Sequence, residues 1–218
     1  MKSLVLKDLY NIGHNAKSML FMLLVLAFII IPFVGAEAYM VMSGILCSMM
    51  IITTFSFDDH SKWMKYAMVT PITKKDIVAG KVVVLLIFSV IGAVAGLVIG
   101  SIGGAIVHKV HFSGIGNILT QLMIGMVSLV IAEIFGSMSI PLLFRFGAEK
   151  ARMLSFVAFI IPAAICFGIY ELLILIGVSF TDNSVCILLC ASPLIALVWN
   201  LLMYKISYAI FAKKELLY

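Results

Sequence analysis

The sequence predicts an all-α integral membrane protein with six transmembrane helices, and three observations predict it. Of 218 residues, 64% are hydrophobic and 11% charged, where a soluble domain has roughly 45–50% apolar and about 25% charged residues. Six apolar runs, 19–35, 38–57, 82–107, 118–143, 153–177 and 185–204, are each long enough to cross a hydrocarbon core of about 30 Å. Placing both termini in the cytoplasm puts every basic residue except Lys109 on the inner side, a strong positive-inside bias. The net charge of +5 therefore speaks for topology and not for nucleic acid. The residues between the runs are too few for a soluble catalytic domain with its own core, so 1–218 is a single transmembrane domain.

The chain opens with an interfacial segment, 1–18. Over 5–16, helical spacing gathers Leu6, Leu9, Tyr10, Ile12 and Ala16 on one face and Lys7, Asp8, Asn11, His14 and Asn15 on the other. That is an amphipathic helix lying in the inner interface, either as an anchor alone or also in contact with a cytosolic partner. Basic residues ahead of the first apolar run, with Ala36-Glu37-Ala38 after it, imitate a secretory signal. Cleavage there, however, would leave five spans with an inverted charge bias, so the run is read as an uncleaved helix. It turns into the second span near Gly35-Ala36-Glu37.

The longest connection, 58–81, is the most informative. Acidic and Ser residues at its start suit a helix cap, and Thr70-Pro71 ends the short helix that follows, because proline disfavours helix in the residue before it. Thr73 with Asp76 then forms a capping-box pattern opening the third span. The short helix presents Trp63, Met64 and Tyr66 beside Lys62 and Lys65. An aromatic belt explains the rings but not the acidic pair Asp58-Asp59, whereas a docking element explains both.

The run Phe57-Asp58-Asp59, Lys62-Trp63, Tyr66 and Thr70-Pro71-Ile72-Thr73-Lys74-Lys75-Asp76-Ile77-Val78 with Lys81 resembles the loop of small six-span, type-2 ABC transporter permeases. It is most similar to the membrane subunits of exporters of phenol-soluble modulins, which are amphipathic peptides. Thr70 and Lys74 stand where that family often has Leu before and Arg after the proline. The resemblance implies a coupling helix that sits in a cleft of a cytosolic ABC ATPase, with Asp58, Asp59, Lys62, Trp63, Lys65 and Tyr66 as the coupling residues. It also implies a homodimer in a bacterial plasma membrane that exports amphipathic or antimicrobial-type peptides. A phosphate-binding loop is missing, since Gly80-Lys81 is followed by Val82 and lacks the earlier glycine. The chain is thus expected to be no enzyme and to hold no cofactor, with ATP and Mg bound by the partner.

Gly92, Gly96, Gly100 and Gly104 make a stripe at four-residue spacing along the third span, a surface for close helix approach within the subunit or at a dimer seam. Glu133 lies near the middle of the fourth span, where an ionised group costs roughly 3 kcal/mol or more. It is either a polar point on a translocation surface or a neutral acid bonded to a neighbouring helix. Glu171, nearer an outer end, reaches toward headgroups. Pro162 and Pro193 kink the last two spans. The four Cys all lie in apolar runs and give no disulfide framework or metal site. No His converges on Ser137 or Ser139 to make an intramembrane protease. Rival readings are a secondary transporter that uses Glu133, against which the missing inverted repeat speaks, and a peptide-immunity protein that binds without transporting.

Overall fold

The computed structural model describes residues 2–13, 15–67, 69–107, 115–175 and 182–213, with many side chains between 151 and 190 left undescribed. Those residues form eight helices: α1 (Lys2–Gly13), α2 (Ala16–Phe33), α3 (Ala36–Ser48), α4 (Met50–His60), α5 (Trp63–Ala67), α6 (Lys74–Ile106), α7 (Ile115–Leu175) and α8 (Asp182–Lys213). Five segments among them are long and apolar enough to cross a membrane: Ala16–Phe33, Ala36–His60, Lys74–Ile106, Asn117–Lys150 and Ala191–Lys213. The expected span 153–177 falls on the second half of α7, helical to Leu175, and most of its side chains lie outside the described residues. So do His14, the outer connection at 108–114 with Lys109, and 176–181.

Helix α2 is apolar all round yet buries only a narrow stripe, Leu23, Ala27 and Ile31. Its remaining faces, with Phe21, Phe28 and Phe33, are exposed, as a helix bordered by lipid requires. Gly35, at φ +131°, makes the tight turn into α3, a conformation open to glycine at little cost. The Tyr39 hydroxyl then donates to the Leu23 carbonyl at 3.1 Å and ties the two helices.

The expected second span is bent at Met49. Ser48 donates to the Ile45 carbonyl at 2.8 Å, and Ile52 N–H bonds Met49 three residues back. Hydroxyl back-bonding of this kind bends helices. Below the bend α4 runs on to His60, so Asp58 and Asp59 end a helix instead of capping the next one.

At 33 residues and about 1.5 Å per residue, α6 is about 50 Å long and overshoots the hydrocarbon core. Its first turn is fixed by a reciprocal capping box: Thr73 Oγ1 accepts from Asp76 N–H at 3.2 Å, and Asp76 Oδ2 accepts from Thr73 N–H at 3.3 Å. The glycine stripe lies against α3. A Cβ on Gly92 would stand 3.0 Å from both the Gly44 Cα and the Ser43 carbonyl, and one on Gly96 would stand 3.0 Å from the Met40 carbonyl. Backbone meets backbone here, which is what small residues at this spacing permit.

Helix α7 is broken at Gly147 (φ +78°, ψ 172°). The main core lies between this break and the start of α6, where Phe144 contacts Phe55 of α4 and Phe211 of α8 at centroid distances of 4.9 and 4.8 Å. These rings hold three helices together at the end where both α1 and α5 sit. In α8, Pro193 withholds an N–H from the Leu189 carbonyl, and Ser192 Oγ replaces it at 2.7 Å.

Candidate functional site

Helix α1 buries Ile12 of its apolar face and leaves Leu6 and Tyr10 of that face free to lie in the interface, but it also turns Asp8 of the polar face inward. Leu4 points inward as well. Asp8 turns inward for an electrostatic reason. Asp8, 2% exposed, meets Lys81 of α6, also 2% exposed, at 2.9 Å, and Lys81 meets Asp58 of α4 at 2.6 Å. Lys7 closes the ring by pairing with Asp58 and with Asp8, the latter at 3.2 Å. Each aspartate thus bridges both lysines, and the four charges cancel.

The ring is closely paired by charge. Lys81 donates to Thr54 Oγ1 at 3.1 Å and forms ion pairs with Asp8 and Asp58, while the buried oxygens Asp8 Oδ1 and Asp58 Oδ2 have no hydrogen-bond partner among the described residues. Phe55 lies 4.7 Å from the same ammonium, and the Trp63 ring centroid is 3.5 Å from Lys7 Nζ, both within the range of a cation–π contact. A residual cavity of about 10 Å³ between Trp63, Leu4, Gly80 and the ring has no room for more than one water. Little solvent screening is available there, so loss of one member leaves an uncompensated buried charge, and the ring fixes how α1, α4, α5 and α6 meet.

The loop above the ring divides the six expected coupling residues. Asp58 and Trp63 face inward, into the ring. Lys62, Lys65 and Tyr66 are exposed. Asp59 turns the other way: its Oδ2 accepts from the Ala148 backbone N–H at 2.8 Å. This bond occupies a donor freed where α7 breaks at Gly147 and joins the loop to α7. A cleft of about 390 Å³ opens there, lined by Ser56, Asp59, His60, Phe146–Ala148, Glu149 and Lys150.

Within the spans, Glu133 is buried and its Oε2 accepts from Asn200 Nδ2 of α8; Ser89 of α6 also reaches it. Three helices therefore share one polar junction. Two apolar grooves flank α2, one of about 300 Å³ lined by Met19, Met22, Met49 and Met50 with Leu23, Leu46, Ile52 and Thr53. The other, of about 330 Å³, lies between α2 and the far end of α6. Glu171 is exposed.

A family model described as ABC-2 family transporter protein matches residues 3–212. The chain belongs to this family. The permease is accordingly a multi-pass membrane component of an ABC transporter, not itself an enzyme, and a cytosolic ATPase is the partner that such membrane components have in general. No curated protein matches it.

Four residues of the permease that the structure makes central were not among the expected site residues: Lys7, Asp8, Lys81 and Asn200. Signals existed for three. Asp8 stands four residues from Leu4 and from Ile12, in the middle of a helical stripe. Lys81 immediately precedes 26 uncharged residues of an apolar run, and Asn200 is an isolated amide in the last one. Lys7 carried no such mark, because a lysine beside an aspartate on an amphipathic helix is ordinary.

Proposed function

We propose that the chain is the membrane subunit of an ATP-driven exporter of amphipathic peptides in a bacterial plasma membrane, working as a homodimer with two separate ATPase subunits docked on the loop between α4 and α6. The observation that carries this reading is the buried charge ring. A loop that only connects two spans has no need of a rigid base, whereas a lever does. Force applied at Lys62–Val69 reaches α1, α4 and α6 through the ring and α7 through Asp59 without being lost in flexible backbone.

Mechanically, closure of the ATPase dimer pushes on the loop, and each helix bundle rocks between inward and outward access with the peptide path between the two copies. The methionine-lined groove beside α2 suits varied apolar side chains, since Met is unbranched and adaptable. The resemblance of the loop supports the peptide cargo and its direction.

The test uses the full chain co-expressed with the ATPase that restores ATP-dependent export, reconstituted in nanodiscs. Tyr66→Ala with Val69→Ala is expected to abolish peptide-stimulated ATP hydrolysis and ATPase co-purification while the membrane subunit stays folded and monodisperse. Undiminished co-purification and stimulation in that variant overturn the docking assignment.

A further inference from the structure

The geometry points to the chemistry of the surface that receives the loop: an apolar pocket with an acidic rim on the ATPase. This rests on the coupling reading above and adds to it the kind of partner surface. The loop tip is a chain of tight turns, with Lys65 N–H bonded to the Lys62 carbonyl at 3.0 Å, Val69 N–H to Tyr66 at 3.1 Å and Thr70 N–H to Ala67 at 3.2 Å. Lys62, at φ +52°, takes the left-handed conformation that ends α4 and swings the chain over. These turns leave Tyr66 70% and Val69 87% exposed, with Lys62 and Lys65 exposed on the preceding turn.

The acidic groups of the loop itself, Asp58, Asp59 and Asp76, are already engaged. Asp58 lies in the ring, Asp59 holds the Ala148 N–H, and Asp76 Oδ2 accepts from the Thr73 hydroxyl at 2.6 Å. The other lysines of the loop turn away toward α8: Lys74 donates to the Ala212 carbonyl at 3.1 Å, and Lys75 lies over the Tyr208 ring at 5.6 Å. Among the described residues, Lys62 and Lys65 have no ion-pair partner. The outward surface is therefore two apolar anchors flanked by two cations. Interfaces are built this way, with aromatic anchors at the centre and charge at the rim, and the complement of this one is acidic.

Anionic lipid is the rival receiver and is an outcome of the test below; an exposed Tyr beside exposed cations is the composition of a protein interface, where aromatic anchors are enriched.

Photocrosslinking from p-benzoylphenylalanine at Tyr66, in the full chain with the ATPase that restores export, separates the outcomes. Crosslinking to the ATPase is expected, with a yield that falls as salt rises from about 0.05 to 0.5 M, because exposed charge pairs are screened over that range. Lys62→Glu with Lys65→Glu is expected to lower ATPase affinity by roughly tenfold or more, since like charges then meet at the rim. The milder Lys62→Gln with Lys65→Gln should show a smaller loss in the same direction, and Lys2→Glu with Lys17→Glu none. Crosslinking that ignores both salt and charge reversal overturns the acidic rim but keeps the docking reading. An affinity that tracks the fraction of phosphatidylglycerol in the nanodisc through Lys62 and Lys65 overturns it in favour of lipid. Absence of any crosslink to the ATPase in the unreversed chain overturns the docking reading itself.

Discussion

The Asp59 carboxylate bonds the backbone N–H of Ala148 at 2.8 Å across 89 positions of chain, while its neighbour Asp58 faces the opposite way into the Lys7–Lys81 ring. Two consecutive acids thus serve two different joints. One fixes the loop to α1 and α6, and the other fixes it to the break in α7.

The second joint is directly testable. Asp59→Ala removes a side-chain cap on an otherwise free backbone donor, a loss of about 1 kcal/mol, whereas Asp59→Asn keeps an oxygen acceptor and should lose only part of that. Gly147→Ala should cost more, roughly 1–3 kcal/mol, because φ +78° with ψ 172° is a region that only glycine occupies comfortably. Steric crowding is not the cause, since the nearest atom to an added Cβ is Asp59 Oδ2 at an ordinary 3.5 Å. Thermal unfolding in detergent should rank wild type, Asp59→Asn, Asp59→Ala and Gly147→Ala in that descending order. A Gly147→Ala protein as stable as wild type contradicts the strained break.

Lys81→Ala leaves Asp8 and Asp58 buried with one lysine between them. Breaking a buried pair in this way costs about 3–5 kcal/mol, and expression and melting temperature should both drop sharply. Charge pairing makes a stricter demand: Lys81→Met combined with Asp8→Leu restores neutrality, with Lys7 and Asp58 still paired, and should recover much of the loss. If the double variant is as unstable as Lys81→Met alone, the ring is not the source of the stability.

On the glycine stripe, Gly96→Ala places a Cβ 3.0 Å from the Met40 carbonyl and 3.2 Å from its Cα. Backbone cannot yield as a side chain can, so overpacking of roughly 1–3 kcal/mol is expected. Gly168→Ala meets nothing within 4 Å and should leave stability unchanged or slightly raised. Equal melting temperatures for the two would mean that α3 and α6 are not held at backbone contact.

Local chemistry was legible in the sequence and long-range chemistry was not. The Thr73 and Asp76 capping box involves residues three apart and could be read from spacing alone. The helical class and the apolar runs follow from composition. The ring could not be read the same way, because Asp8, Asp58 and Lys81 come from three helices and their pairing depends on how those helices pack. Periodicity placed Asp8 with the polar residues since it scores polarity and knows nothing of a lysine 73 positions away. The division of Asp58 from Asp59 has the same origin: adjacent side chains on a helix point about 100° apart, so neighbours in sequence face different partners.

The Glu133 junction gives the last prediction. Asn200 and Ser89 reach the carboxyl from two other helices, so its first duty is to join α6, α7 and α8. A glutamine side chain has almost the same shape and keeps an oxygen acceptor for the Asn200 amide, so Glu133→Gln should fold and, on the proposed function, transport at near the wild-type rate. Asn200→Leu instead takes from the buried carboxyl one of its two partners, a cost of about 1–3 kcal/mol, and should lower the melting temperature more than Glu133→Gln does. The informative comparison is between the two readouts. A Glu133→Gln protein that melts like wild type but no longer exports shows that the exchangeable proton or charge, which the amide lacks, takes part in transport; loss of both together shows only that the junction holds the helices.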